Sequence, residues 1–432
     1  MADTDSEIEV VVVSLGARGD GVAETPDGPL YVPFALPGER VRVRPGATRG
    51  HGRAAQLLEI LEPAENRVTP PCQHFGVCGG CSVQHLADDA YLDWKRDIVV
   101  TALERQGIAG SIVRPVVPTP AEGRRRAELA ALRLRGRHGA VVLGFHARAS
   151  NRIVDLAECV ILRPALREVI APLRGALAQI LEPGTGCDIL VTETPVGLDM
   201  LITTKMPPRP KQSLTSAAFA EAADLARVSW ASARTGIEPV AQRRPPSVVF
   251  NEVSVALPPG AFLQASATAE GKMAALVIDY LGSLPARARV ADLYTGLGTF
   301  TLPIAADGAR VHAVDSAGEG LANLLAATGA AGLSGRVTVE TRDLSERPLM
   351  AAELAGYKAV VFDPPRAGAA EVVRQLAASE VPSVVAVSCN PATFARDAAT
   401  LIAGGYCLTG VTPVDQFVYA GHVELVAGFS RT

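Results

Sequence analysis

The sequence is poor in aromatic residues and contains no long uninterrupted hydrophobic run. Aromatic side chains make up 5% of the 432 residues, whereas hydrophobic residues together make up 48%. Aliphatic side chains must therefore fill most of the interior. No apolar stretch approaches the roughly 20 residues that a transmembrane helix requires, and the acidic start MADTDSEIEV has no apolar signal region. These absences predict a cytoplasmic protein without a membrane partner.

An overall excess of positive charge is also absent. The formal net charge is −4, which by itself argues against a nucleic-acid partner. The arginines are nevertheless gathered into two groups. These are Arg40, Arg42, Arg44, Arg49 and Arg53, and then Arg124, Arg125, Arg126, Arg133, Arg135 and Arg137. Such groups form either a phosphate-binding surface or ordinary solvated faces, and from charge alone both interpretations stay open.

The chain is too long for one ordinary domain, so two or three domains are expected. Residues 8–62 contain short strands separated by Gly, Pro and Asp turns, a pattern that predicts a small β-barrel. Within it, ERVRVRP alternates arginine with valine, so one wall of the barrel is predicted to be basic. Residues 84–107 have helical periodicity, and residues 112–260 have the pattern of an α+β region with two hairpins. The predicted domains are residues 1–64, 65–260 and 261–432.

From residue 288 onward, short apolar strands alternate with helical segments. This pattern predicts a seven-stranded, largely parallel, doubly wound α/β sheet, which binds ligands at the carboxyl ends of its strands. In DLYTGLGTF, residues 292–300, Gly296 and Gly298 allow a ligand to approach the backbone closely. Asp315 ends the second strand, where a carboxylate can hold ribose hydroxyls. The loop lacks the third glycine of a dinucleotide motif, so it suits S-adenosylmethionine better than NAD; the alternative is an ordinary strand-to-helix turn.

Three further strand ends carry reactive side chains. Asp363 begins DPPRAG and can accept a hydrogen bond from an N–H such as uracil N3–H, although a tight loop without function is the alternative. Cys389 lies where the fifth strand gives way to a helix, and a helix N-terminus would lower its pKa and make it a nucleophile. The alternative is a small buried hydrophobic residue. Glu424 at the start of the last strand is either a general base or an exposed strand residue.

Three cysteines, Cys72, Cys78 and Cys81, fall within CQHFGVCGGC. Three is an odd number for disulfides and one short of a tetrahedral metal site. In a reducing compartment, clustered cysteines favour metal binding or catalysis. The stretch therefore predicts a fourth ligand elsewhere in the chain.

Six segments occur in the order of a known family's motifs: CQHFGVCGGC, GAFLQAS, DLYTGLGTF, DPPRAG, SCNPAT and GHVE. The chain resembles the class I S-adenosylmethionine-dependent RNA (uracil-5-)-methyltransferases, particularly the 23S ribosomal RNA enzymes that carry an iron–sulfur cluster. The resemblance covers nearly the whole chain. It implies a Rossmann-like methyltransferase domain, an N-terminal OB-like TRAM β-barrel that binds RNA, and a central α+β domain with a [4Fe–4S] cluster. By resemblance the fourth cluster ligand is Cys159 in DLAECVIL, although a zinc site with four thiolates also fits the spacing.

The resemblance also implies a role for each site residue. Cys389 would add to C6 of a uridine flipped out of its stack, and Glu424 would remove the C5 proton. The family's cofactor-site positions are matched by Gln264, Tyr294, Asp315, Asp343 and Asp363. The resemblance favours 23S rRNA over tRNA as the partner, because the family's tRNA enzymes commonly lack the barrel and the cluster, and it suggests a monomer. The alternatives are the same reaction on a tRNA T-loop uridine, a radical S-adenosylmethionine protein with a TRAM domain, and a non-catalytic RNA-binding protein.

Overall fold

The computed structural model of the protein describes residues 7–136 and 140–431. The first residues of the chain and Arg137 lie outside this described part. The described residues form three large β-sheets, one additional two-stranded hairpin and nine α-helices. Within the same two ranges, no helix is both long and apolar enough to cross a membrane.

The first sheet is formed by the N-terminal strands. They are β1 (Ile8–Val11), β2 (Ser14–Leu15), β3 (Asp20–Thr25), β4 (Gly28–Pro33), β5 (Arg40–Arg49) and β6 (Gly52–Glu62). Their spatial order is β1-β5-β6-β4-β3-β2. The side chains of β5 alternate between its two faces, and Val41 and Val43 pack with Val12 and Val32 in a small aliphatic core. The alternating pattern therefore places its hydrophobic side chains inward, as expected.

The predicted basic wall of this sheet is wrong. The arginines of β5 point outward, but glutamates of neighbouring segments pair with them. The pairs are Arg40 with Glu9 and Glu62, Arg42 with Glu9 and Glu59, and Arg44 with Glu7. The face therefore carries both signs of charge, because strand pairing brings distant carboxylates opposite the arginines. Exposed pairs of this kind contribute only about 0–1 kcal/mol each to stability.

The second sheet occupies the middle of the chain. Its strands are β7 (Arg126–Arg133), β8 (Val141–His146), β9 (Ile153–Asp155), β10 (Gly186–Thr194), β11 (Gly197–Thr204), β12 (Arg227–Ser232) and β13 (Gly236–Gln242). Helix α1 (Asp88–Glu104) precedes this sheet in the chain. The helices of the region itself are α2 (Pro164–Glu168), α3 (Ile170–Ile180) and α4 (Pro210–Ala222). The order is β13-β12-β11-β10-β7-β8-β9. Both predicted hairpins, β7–β8 and β10–β11, are present as antiparallel pairs.

The remaining elements form the C-terminal part. The strands are β14 (Ser247–Phe250), β15 (Val253–Ala256), β16 (Arg289–Leu293), β17 (Arg310–Asp315), β18 (Val337–Thr341), β19 (Ala359–Phe362), β20 (Ser383–Ser388), β21 (Cys407–Val414) and β22 (Glu424–Ser430). The helices are α5 (Ala267–Leu281), α6 (Thr301–Ala306), α7 (Gly318–Ala330), α8 (Ala370–Ala377) and α9 (Pro391–Ala403).

The C-terminal sheet confirms the predicted seven-stranded doubly wound architecture. Its order is β18-β17-β16-β19-β20-β22-β21, and the first five strands of this order are parallel. Only β22 runs antiparallel to both of its neighbours. Val360 and Val361, adjacent in β19, belong to two different buried clusters, so both faces of the sheet are covered. The near-continuous apolar strands of the sequence follow from this double burial.

Two segments before residue 260 also pack on this sheet. Val99 and Leu103 of α1 lie in the same core cluster as Phe429 of β22. Phe250 of the β14–β15 hairpin shares the opposite cluster with Val290 of β16. The hairpin thus packs with the C-terminal sheet, although the sequence interpretation placed it before the domain boundary.

Candidate active site

The glycine-containing loop after β16 is folded around a carboxylate of the next strand. The backbone takes a left-handed conformation at Tyr294, with φ of 61°, and at Gly296, with φ of 56°. The carboxylate of Asp315 accepts hydrogen bonds from the backbone N–H groups of Gly296 (2.9 Å) and Ala317 (2.8 Å). A Cβ at Gly298 would lie 2.5 Å from a side-chain atom of Leu324, which explains the glycine there. Asp315 therefore lies directly beside the loop, as the spacing predicted.

Asp292, at the penultimate position of β16, also shapes this loop and was not predicted as a site residue. Its fully buried carboxylate accepts hydrogen bonds from the hydroxyls of Thr295 (2.6 Å) and Thr301 (2.5 Å). Burial raises the pKa of Asp292 to about 6, against the effect of these two hydroxyls. The side chain thus ties the loop to the start of α6. Its position in the DLYTGLGTF segment is the only sequence signal for this role.

Tyr294 and Asp343 lie at the outer edge of the same loop. Burial raises the pKa of Tyr294 to about 12, and nearby Asp343, Asp397 and Asp315 add to the increase. Asp343 is exposed two residues beyond β18, and it accepts hydrogen bonds from the hydroxyl (2.6 Å) and the backbone N–H (2.9 Å) of Ser345. These bonds lower its pKa. The structure therefore brings Tyr294, Asp315 and Asp343 together.

A chain of hydrogen-bonded side chains joins two carboxyl groups at the strand ends. The amide nitrogen of Gln264 donates to Asp363 (3.2 Å). The amide nitrogen of Gln416 donates to the side-chain oxygen of Gln264 (2.8 Å) and to Oε1 of Glu424 (3.2 Å). Burial raises the pKa of Asp363 to about 7, with Asp292 adding to the effect, and burial together with Asp363 raises the pKa of Glu424 to about 8. Burial thus favours the protonated form of both carboxyl groups.

Cys389 lies beside this chain, immediately after β20. Asn390 caps α9 by accepting a hydrogen bond from the N–H of Ala392 (3.2 Å), which fixes the turn that holds the cysteine. Burial raises the pKa of Cys389 to about 11, and the charges of Glu424 and Asp363 add to the increase. The prediction of a lowered pKa is therefore wrong, because burial of the thiol, with the two carboxyl groups adding to it, outweighs the helix N-terminus.

The segment between β21 and β22 carries Gln416. The buried side chain of Lys95, in α1, binds this segment. Its ammonium group pairs with Asp415 (2.9 Å) and donates to the carbonyl oxygens of Phe417 (3.1 Å) and His422. The hydroxyl of Tyr91 also donates to Asp415 (2.8 Å). Burial lowers the pKa of Lys95, while Asp415 opposes this effect. No pattern in the sequence singled out this lysine.

The same segment contacts the cysteine-rich loop and the N-terminal sheet. The carbonyl oxygen of Tyr419 accepts hydrogen bonds from the N–H groups of Ser82 (2.8 Å) and Val83 (3.2 Å). A Cβ at Gly421 would lie 2.4 Å from the carbonyl oxygen of Ala17, so the glycine permits a close approach to the N-terminal sheet. All three parts of the chain therefore meet beside Glu424.

The four cysteines of the predicted metal site line one cavity. They are Cys72, Cys78, Cys81 and Cys159, and none of them is in a disulfide. Burial raises the pKa of Cys81 to about 12, and the other three thiols add to the increase. Among residues 7–136 and 140–431, no three His, Cys, Asp or Glu side chains converge as ligands of a single metal ion. The structure thus brings the predicted cysteines to one cavity without showing a metal site.

Comparison with known proteins gives consistent similarities. A family model described as tRNA (Uracil-5-)-methyltransferase matches residues 339–430. An RNA methyltransferase of Brucella suis biovar 1 is 44% identical over 98% of both chains. A 23S rRNA (uracil(1939)-C(5))-methyltransferase of Halomonas elongata is 33% identical over 98% of this chain and 89% of its own. The solved structure of the tRNA (uracil-54, C5)-methyltransferase of Pyrococcus abyssi, in complex with S-adenosyl-L-homocysteine, has the same fold, with a TM-score of 0.77. The two sequences are 24% identical, and the match covers 98% of this chain and 99% of the other.

Proposed function

The chain belongs to the family of S-adenosylmethionine-dependent RNA (uracil-5-)-methyltransferases, and we propose that it methylates C5 of a uridine in 23S ribosomal RNA. The observation that carries the reaction is the convergence of Cys389 with the hydrogen-bonded chain from Asp363 to Glu424. The choice of ribosomal RNA is supported by the relative from Halomonas elongata, which is named for 23S rRNA. The proposal includes a monomer, as the family resemblance suggests.

In the proposed mechanism, Cys389 activates the uracil ring. Its thiol loses a proton to solvent, and the thiolate forms a bond from Sγ to C6. The electron pair of the C5–C6 double bond shifts toward O4 as an enolate, which makes C5 nucleophilic. C5 then takes the methyl group of S-adenosylmethionine, which leaves as S-adenosylhomocysteine. The negative charge that the thiolate brings to the ring as an enolate is cancelled only when C5 takes the methyl group from the sulfonium.

Glu424 completes the reaction as the general base. Its carboxylate takes the proton from C5, the C5–C6 double bond re-forms, and the bond between C6 and Sγ of Cys389 breaks. Asp363 supports binding of the uracil, because its carboxylate at the strand end can accept a hydrogen bond from N3–H. The buried position of both carboxyl groups fits an RNA base that is flipped out of its stack.

We propose that the cofactor binds along the loop after β16. Asp315 would hold the ribose hydroxyls, and Tyr294 and Gln264 would line the two sides of the adenosylmethionine site. Asp343, held by Ser345 at the outer edge, would contact the adenine end. The backbone donors of the loop already engage Asp315, which keeps its carboxylate in one orientation.

We propose that Cys72, Cys78, Cys81 and Cys159 hold a [4Fe–4S] cluster. Four thiols around one mostly apolar cavity are the donor set that such a cluster uses, and a cluster spreads its ligands more widely than a single ion does. When bound, a fully ligated cluster would link the loop of residues 72–81 to the segment around Cys159. It would take no part in the methyl transfer.

Replacing Cys159 by serine is expected to abolish cluster binding. Anaerobically purified protein should contain about four iron atoms per chain and a matching amount of sulfide, with visible absorbance from thiolate-bound iron. The variant should lose most of the iron and the absorbance, whereas Cys407→Ser, at an exposed position, should retain both. One zinc atom per chain in the unmodified protein, without sulfide, would contradict the cluster.

We propose that residues 1–64 form a TRAM-like RNA-binding module, followed by a central domain to about residue 260 and the methyltransferase domain. Support comes from the six-stranded N-terminal sheet and from its placement, since Ala17 approaches Gly421 next to the catalytic segment. Trp94 of α1 also donates a hydrogen bond to the carbonyl oxygen of Gly16 (3.2 Å). The contact surface for RNA would then begin at this loop, not at the paired arginines of β5.

The release of methylated RNA from the covalent adduct is expected to accelerate with pH. Glu424 has a raised pKa of about 8, and only the ionised form accepts the C5 proton. The release rate should therefore rise between about pH 6 and about pH 9. Measuring release from a preformed adduct isolates this step from the ionisation of Cys389. A release rate that does not change over this range would contradict the role of Glu424.

The choice of RNA is tested by nucleoside mass spectrometry after incubation with S-adenosylmethionine and unmodified transcripts. New 5-methyluridine in 23S rRNA fragments, and none in tRNA, is expected. Product in tRNA alone would replace the ribosomal substrate by a T-loop uridine. Product that forms only with dithionite would indicate radical chemistry instead, and RNA binding without methyl transfer would indicate a non-catalytic protein.

A further inference from the structure

Gln416 occupies a position between the cofactor side of the site and the proposed base. It is 5% exposed, and its amide nitrogen donates to both Gln264 (2.8 Å) and Glu424 (3.2 Å). An amide nitrogen has two N–H groups, so these two bonds use all of its donor capacity. The nitrogen faces Glu424, so a donor is directed at the carboxylate when Glu424 is ionised.

This orientation leaves the side-chain oxygen of Gln416 buried without a hydrogen-bond partner in the part of the chain that the structure describes. Both N–H groups of Gln416 are directed at groups of the active site.

The backbone around Gln416 is fixed independently of its side chain. Its N–H donates to the carbonyl oxygen of Val414 (3.0 Å), and the preceding Asp415 is held by Lys95 and Tyr91. Glu424 is 3% exposed and begins β22, which pairs with β20 and β21. The amide is thus presented to the carboxylate from a rigid support on each side.

We propose that Gln416 is a positioning residue for the general base, which holds Oε1 of Glu424 so that Oε2 is directed at the C5 proton of the uridine. The hydrogen bond to the side-chain oxygen of Gln264 holds the same amide on its other side. Because Gln264 lines the proposed cofactor site, this bond connects the orientation of Glu424 to that site. This inference rests on the proposed function. It concerns the release step alone, because the attack of Cys389 and the methyl transfer do not need an oriented Glu424.

The test uses Gln416→Met, which has nearly the same shape but no N–H group. In a single turnover with the 23S rRNA fragment, formation of S-adenosylhomocysteine should stay within about threefold of the unmodified protein. Release of free methylated RNA should slow about 10- to 100-fold, the loss expected for one hydrogen bond to a charged group. The covalent adduct, seen on a denaturing gel, should accumulate accordingly.

Two controls separate positioning from a general structural effect. Val418→Ala, in the same segment, should change neither step. In the Glu424→Gln background, Gln416→Met should slow release no further, because the group that it positions is already lost. If Gln416→Met does not fold, as judged by thermal unfolding, Gln416→Leu is measured in the same way.

Equal slowing of both steps in the Gln416 variants, or an unchanged release rate, would overturn the positioning role while the proposed function stands. Further slowing in the Glu424→Gln background would overturn it as well. Failure of the unmodified protein to form 5-methyluridine on the same RNA would instead overturn the proposed function and this inference with it.

Discussion

Glu424→Gln is expected to leave most of the protein covalently attached to methylated RNA after one turnover. The amide cannot take the C5 proton, so the step that breaks the bond between C6 and Cys389 is strongly slowed. Loss of a general base typically slows a step by about 10²- to 10⁴-fold, whereas formation of the adduct should proceed at nearly its usual rate. A denaturing gel with labelled RNA measures the trapped fraction, and S-adenosylhomocysteine should form in equal amount.

The matched control for this variant is Glu371→Gln, at an exposed glutamate of α8. It should turn over as the unmodified protein does. Normal multiple turnover by Glu424→Gln, with no trapped RNA, would remove Glu424 from the mechanism and leave the raised pKa of this buried carboxyl without a catalytic explanation.

Cys389→Ser is expected to abolish both the adduct and the product. A serine hydroxyl is a far weaker nucleophile than a thiolate toward C6. Methylation should fall by at least about 10³-fold. Nucleoside mass spectrometry quantifies the remaining 5-methyluridine.

The control for the nucleophile is Cys407→Ser, at an exposed cysteine that begins β21. It should retain full activity. In addition, Cys389→Ser combined with Glu424→Gln should show no adduct at all. An adduct in this double variant would assign the covalent bond to a different residue.

The architecture of the C-terminal sheet follows from the sequence because its information is local. Each strand is a short apolar run, and each chemically important residue lies within or directly after one, as Asp315 and Cys389 do. Strand ends of a parallel sheet meet at one edge, so the neighbourhood of these residues could be predicted without any contact being known.

Features that depend on distant residues could not be predicted in this way. The glutamate that pairs with Arg44 lies 37 positions away, and the aspartate that pairs with Lys95 is further still along the chain. The alternation of β5 showed which way its arginines point, but not that carboxylates would face them. For the same reason, the local sequence around Cys389 predicted a lowered pKa, while the folded site raises it.

Gln416 illustrates a further limit. It lies eight residues before Glu424 in a segment that the sequence interpretation already used, yet glutamine has no charge and no periodic pattern to mark it. Its importance depends on the direction of two N–H groups, which only the folded segment between β21 and β22 determines.

The most direct test of the proposed mechanism is to identify the amino acid that bonds to the target uridine. An RNA fragment with 5-fluorouridine at the target position traps the adduct, because a base cannot remove fluorine from C5 as it removes a proton. Peptide mass spectrometry of the trapped complex should find methylated 5-fluorouridine attached to Cys389, and only when S-adenosylmethionine is present during the reaction. Attachment to another residue, or complete methylation of ordinary uridine RNA with no adduct on the fluorinated RNA, would contradict the mechanism.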